Sequence, residues 1–204
     1  MTDPATTALA SDPDDARAAV AARAAHEARD RATWARAALV VVLAWHSHVW
    51  VGDPARGPQP GQWLLHAVEL GIHETGHLLF QPFGETLYVL GGSLFQLVVP
   101  MAFVASFWRR DRFAAAVCGW WLAVGFWDVA IYVADARAQQ LDLVGGGEHD
   151  WAMLLDHWNR LPDDLRFGRA LGHLGSALAI VSLAAALLLA PRSRDPGKGE
   201  APPP

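Results

Sequence analysis

TLYVLGGSLFQLVVPMAFVASFW, residues 86–108, carries no formal charge from end to end. A helix over it, rising ~1.5 Å per residue, is long enough to cross ~30 Å of hydrocarbon. Residues 113–134 repeat the pattern with Asp128 as the single charge, and residues 170–190, ALGHLGSALAIVSLAAALLLA, repeat it broken only by His173. Two further stretches are shorter or more polar. Residues 37–51, AALVVVLAWHSHVWV, are flanked by Arg36 and Asp53, with Trp34, Trp45 and Trp50 suited to a membrane interface. Residues 63–80, WLLHAVELGIHETGHLLF, combine apolar and ionisable residues. Apolar residues make up 52 % of the 204 and charged ones 18 %, and the mean hydropathy of +0.16 is high for a soluble domain. The pattern predicts an all-α, polytopic helix bundle integral to the membrane, with about five spans, four to six being compatible, and lipid as its surroundings.

The flanks read differently. Residues 1–33 are rich in Ala, Asp and Arg and lack the apolar core of a secretory signal, so they are expected to form a solvated helix or stay disordered. Residues 34–190 form the membrane domain, including a connecting loop over 137–169, and the tail 191–204 is expected to be disordered. A net charge of −5 gives no reason to expect nucleic acid as a partner. With Cys118 alone, no internal disulfide is possible. Five alternating spans would divide the arginines and the lysine nine against seven between the two sides, which decides no orientation.

Within 63–80 stands His73-Glu74-Thr75-Gly76-His77. At ~100° per residue, His66, Glu69, His73, Glu74 and His77 share one helix face, and Leu64, Leu65, Val68, Ile72, Leu79 and Phe80 occupy the opposite arc. Ionisable side chains at membrane depth cost ~3 kcal/mol each and persist where they face a cavity, an ion or each other. Two histidines one turn apart can reach a single Zn²⁺, and the glutamate between them can act as general base toward a metal-bound water. The competing reading is a set of interhelical hydrogen bonds without an ion, which would have to bury two imidazoles and a carboxylate unaided.

These residues resemble the site-2 protease-like membrane zinc metallopeptidases, whose first core helix carries HExxH with a small residue before the second His, here HETGH. The following element of that family has a Gly-Pro-x-x-Asn-like motif whose Asn binds substrate or the oxyanion. Here Gly91-Gly92-Ser93-Leu94-Phe95-Gln96 puts Gln96 in that place, where interhelical hydrogen bonding is an equal alternative. The family's third element, an Asp-Gly that supplies the last ligand, is absent. The resemblance covers residues 63–108 and implies a divergent intramembrane metalloprotease.

A catalytic zinc takes three protein ligands and keeps one position open. The third candidates are His149 first, then Asp150, both in Gly145-Gly146-Gly147-Glu148-His149-Asp150-Trp151, and then Asp128 and Asp135 in WDVAIYVADAR. The glycines would let the loop fold back onto the membrane site, whereas Asp150 could instead cap a helix over WAMLLDHW. His66 suits a supporting or proton-relay role, and His173, among small residues, a hydrogen bond across helices. The expectation is a membrane-embedded zinc hydrolase that cleaves membrane-associated polypeptides with Glu74 as base. The alternatives are a transporter or proton-conducting protein lined by the same residues, or a non-catalytic zinc-binding scaffold.

Overall fold

In the computed structural model, residues 13–143 and 147–191 are described, and among them all regular structure is helical. The helices are α1 (Pro13–Ser47), α2 (Trp63–Phe80), α3 (Glu85–Phe107), α4 (Arg112–Ala134), α5 (Asp150–His157) and α6 (Asp164–Leu189), with short 3₁₀ turns before α2, α3 and α6. Asp111 starts α4, its Oδ1 accepting from the Phe113 and Ala114 amides at 3.0 and 3.1 Å. Residues 1–12, Val144, Gly145, Gly146 and the tail from Arg192 lie outside the described residues.

The bundle is organised around α4 and α6, which pack through small residues. A Cβ on Gly168 would stand 2.8 Å from the Ala130 carbonyl oxygen, and one on Gly119 would stand 2.6 Å from Ser182 Oγ. Lipid is as apolar as the helix surfaces, so the hydrophobic effect does little to hold such helices together. Close backbone approach and interhelical hydrogen bonds do it instead. Accordingly Trp127 Nε1 on α4 donates to the Gly172 carbonyl and Ser176 Oγ on α6, at 3.2 and 3.1 Å. Trp120 Nε1 reaches Ser47 Oγ on α1 at 2.8 Å.

Three helices are long and apolar enough to cross a membrane: α3, α4 and the segment Leu161–Leu189 that contains α6. The expected five reduce to these three by that criterion. The apolar part of α1 is short and continuous with a charged, exposed N-terminal half, and α2 is diluted by its own histidines and glutamates.

The register of contacts also departs from five alternating crossings. Down α1, Arg36 lies over Phe113, Ser47 meets Trp120 and Trp50 stacks on Trp127, so α1 runs parallel to α4. Arg36 therefore shares an end of the bundle with Arg109, Arg110 and Arg112, where strict alternation would put it opposite. Helix α2 meets α4 at His66–Asp128 and α3 at His77–Tyr88, both toward the C-terminal end of α4. Its outer face, with Leu64, Val68, Leu78 and Leu79, stays exposed.

Candidate metal centre

The helical repeat puts the His73 and His77 rings 4.7 Å apart, edge to face. Gly76, the small residue of HETGH, lets α2 press on α3, since a Cβ there would collide with the Gly91 carbonyl oxygen. Gly92 clears room for the His73 ring in the same way: its Cβ would stand 2.5 Å from His73 Nε2. The close seam between α2 and α3 is what carries the histidines to the polar groups of α3 and α4.

Those partners fix the tautomers. Gln96 Nε2 donates to Asp128 Oδ2 at 2.6 Å, because a carboxylate can only accept. That turns Gln96 Oε1 toward His73 Nδ1, 3.2 Å away, so Nδ1 carries the proton. His77 Nδ1 donates to the Tyr88 carbonyl oxygen at 2.8 Å by the same logic. The remaining ring nitrogens, the two Nε2 atoms, both point at Asp150 Oδ2, at 2.9 Å for His73 and 3.2 Å for His77.

A carboxylate oxygen that faces two ring nitrogens is satisfied by positive charge between them, a proton on an imidazole or a metal ion. Ligands ~2.0–2.1 Å from a tetrahedral ion stand ~3.3 Å from one another, so the observed spacings of 2.9 and 3.2 Å are slightly shorter than those of a metal-ligand set. His73, His77 and Asp150 are also the one group of His, Cys, Asp and Glu side chains among the described residues with donor atoms close enough to share a metal. Burial alone would raise the Asp150 carboxyl, but hydrogen bonds from His73 and His77 outweigh it and hold it at about 2, ionised at neutral pH. The donor set, two imidazole nitrogens and one carboxylate oxygen, could hold a divalent transition-metal ion.

Asp150 is the first residue of α5, at the end of the loop after α4. Its amide donates to the Tyr132 hydroxyl at 3.1 Å, and Trp151 Nε1 beside it donates to Ser93 Oγ on α3 at 3.0 Å. The Tyr132 ring stands edge-on to His73, with centroids 5.6 Å apart. The loop is thus tied to α3 and α4 on both sides of its ligand.

His149, the first choice for third ligand, is turned away. Its Nδ1 accepts from the Ala152 amide at 3.2 Å and caps α5, and its Nε2 faces Asp135 Oδ2 at 3.4 Å. Burial lowers the His149 pKa despite the nearby Asp135, favouring the neutral ring that the cap requires. The cap expected from Asp150 is made by His149, and the place beside His73 and His77 expected for His149 is occupied by Asp150. Gly147 has open space around it, so no close approach demands a glycine there.

The other candidates fall into place one bond further out. Asp128 is not in the ligand set but stands behind it, joining Gln96 to His66 Nδ1, which lies 2.7 Å from Asp128 Oδ1. Asp135 accepts from the Gln140 and Leu141 amides at 3.0 Å and braces the loop. Both ends of the Gln96 amide are committed, which removes it as an oxyanion donor. His173 is exposed on α6, not bonded across a helix pair.

Glu74, next to His73 in sequence, is exposed. Sequence reasoning missed Tyr132 and the Trp151–Ser93 contact. Tyr132 follows Asp128 by four residues on the same helix face, a spacing that could have drawn attention to it. Glu69 is fully buried, with Oε1 accepting from Trp121 Nε1 at 2.7 Å, and also lay on the predicted face without a role. Against protein-family models, curated proteins and solved structures alike, the chain has no match.

Proposed function

We propose that this protein is a membrane-embedded zinc hydrolase, a peptidase acting on membrane-associated polypeptides. The observation that carries the reading is the convergence of His73 Nε2 and His77 Nε2 on one oxygen of Asp150, an arrangement able to hold a divalent cation. Zinc bound there would supply Lewis acidity toward a scissile carbonyl and a water of lowered pKa. The chain's own residues do the rest. Glu74 accepts the proton of the attacking water and returns it to the leaving amine, free to do so because it is exposed beside the ligands without being one of them. His66, Asp128 and Gln96 form a hydrogen-bonded line that holds the His73 ring and its tautomer. The resemblance to site-2 protease-like enzymes supports the same reading, with the place of that family's Asp-Gly element falling to Asp150.

A conduit across the membrane would use the same polar line but needs it to continue. Beyond Glu69 and Trp121 the inter-helix contacts turn apolar, at Val40, Phe113, Ala186 and Ala190. The deciding experiment is metal analysis of purified wild type, Asp150→Ala and Glu74→Gln, together with a comparison of membrane polypeptides in cells carrying wild type or Glu74→Gln. About one zinc per chain is expected in wild type and Glu74→Gln and none in Asp150→Ala, with substrates accumulating in Glu74→Gln cells through a loss of ~10² or more in turnover. Zinc without any difference in the polypeptides would make the protein a non-catalytic scaffold.

A further inference from the structure

Glu69, within α2, is the one buried glutamate among the described residues, with none of its surface exposed. Its Oε1 accepts from Trp121 Nε1 on α4 at 2.7 Å, and its Oε2 has no hydrogen-bond partner. The backbone of α4 closes over that oxygen, since a Cβ on Gly125 would stand 3.6 Å from it. No arginine among the described residues forms an ion pair with Glu69. The charged or titratable groups that face it are His66 on its own helix and Asp128 on α4, while α3 contributes the uncharged Gln96.

The donors of this cluster go to Asp128, which has His66 Nδ1 at 2.7 Å on Oδ1 and Gln96 Nε2 at 2.6 Å on Oδ2. Glu69 is left with one neutral indole and a carboxylate for a neighbour. A carboxylate taken out of water without a cation is far more costly than a neutral acid whose hydroxyl is unpaired. A metal ion in place of the proton needs several donor atoms close together, and among the described residues only His73, His77 and Asp150 offer them. We propose that Glu69 is a proton-binding site: it stands as a neutral carboxylic acid at neutral pH, and the proton it holds lets α2 dock against α4. This rests on neither metal binding nor hydrolysis, yet bears on both, because α2 also carries His73 and His77. Loss of the proton puts an unsolvated charge into the α2–α4 contact beside Asp128. The folded bundle keeps the proton to higher pH than the unfolded chain does, so the stabilisation is whole in acid and is lost as the pH rises through the value at which folded Glu69 ionises.

The test is infrared spectroscopy of the full chain in neutral detergent at about pH 6, with and without isotopically labelled glutamate carboxyls. A neutral carboxylic acid absorbs through its C=O stretch above the amide band, where carboxylates do not. Such a band is expected in wild type, shifted by the label, kept in Asp128→Asn and absent from Glu69→Gln. Glu69 is the one described glutamate shielded from water, so a labelled band that exchanges slowly in deuterated buffer belongs to it. Thermal unfolding gives a second readout: from about pH 6 to about pH 8, wild type should lose ~5 °C or more in melting temperature relative to Glu69→Gln, which has no proton to release there. If Glu69→Gln does not fold, the labelled wild-type band decides alone, fading as the pH rises while the melting temperature falls with it. A wild type without a labelled acid band at about pH 6, or a band that survives in Glu69→Gln, overturns the proposal. So does an equal pH dependence of melting in wild type and folded Glu69→Gln, because the proton would then not hold the helix.

Discussion

Two helix seams in this protein are made with the same residue and serve different ends. Between α4 and α6, Gly119, Gly168 and Gly175 bring together surfaces that are otherwise apolar, with a tryptophan hydrogen bond across them. Between α2 and α3, Gly76, Gly91 and Gly92 make an approach at least as close, but what they bring together is a histidine, a carboxamide and, behind it, a carboxylate. The first seam holds the bundle. The second positions the candidate ligands, so under the proposed function a change there should reach metal binding before it reaches the fold.

The sharpest way to break that comparison is to remove a ligand. Asp150→Ala leaves His73 and His77 alone, and stoichiometric zinc should vanish from the purified protein while the helical circular dichroism persists. Zinc retained at one per chain would mean that the three residues are not the site.

Next in size is the α4–α6 seam. Gly175→Val would press against Trp127 and the Ala123 carbonyl oxygen, which lie 3.0 and 3.1 Å from even a bare Cβ. Thermal unfolding in detergent should show a loss of ~1–3 kcal/mol, with metal lost only as the fold is lost. A variant that sheds zinc while melting like wild type would erase the distinction between the seams.

Third is the support behind His73. Gln96→Leu removes the acceptor on Nδ1 and strands Asp128, so zinc affinity should fall ~10–100-fold, measured by competition with a chelator. Gln96→Glu restores an acceptor but places a second carboxylate against Asp128, and should rescue little.

The smallest effect is expected at His149, where substitution by Ala removes an α5 cap worth ~1 kcal/mol and touches no ligand. Zinc affinity should drop less than in Gln96→Leu. A larger drop would return His149 to the ligand set and displace Asp150.

Much of the architecture is legible along the chain itself. Residues 86–108 and 113–134 announce α3 and α4 within one residue at each end, because an uncharged run of that length has few other places to go. His73 and His77 are paired by the helical repeat alone, and Glu74 is placed beside them by the same geometry. What the repeat cannot reach is a partner far along the chain. Asp150 lies 77 residues beyond His73, and choosing it over its neighbour His149 depended on which of the two would cap α5. Gln96 was legible as a polar residue in an apolar helix, but its two bonds, to His73 and Asp128, exist only where three helices meet.

The sidedness of the bundle divides in the same way. Charge and length along the chain identify three helices that can span a membrane, since hydropathy is a sum over neighbours in sequence. Which ends lie together depends on contacts between helices. Only the tertiary structure decided that Arg36 sits with Arg109, Arg110 and Arg112, and that His66 of α2 meets Asp128 of α4 while His77 meets Tyr88 of α3.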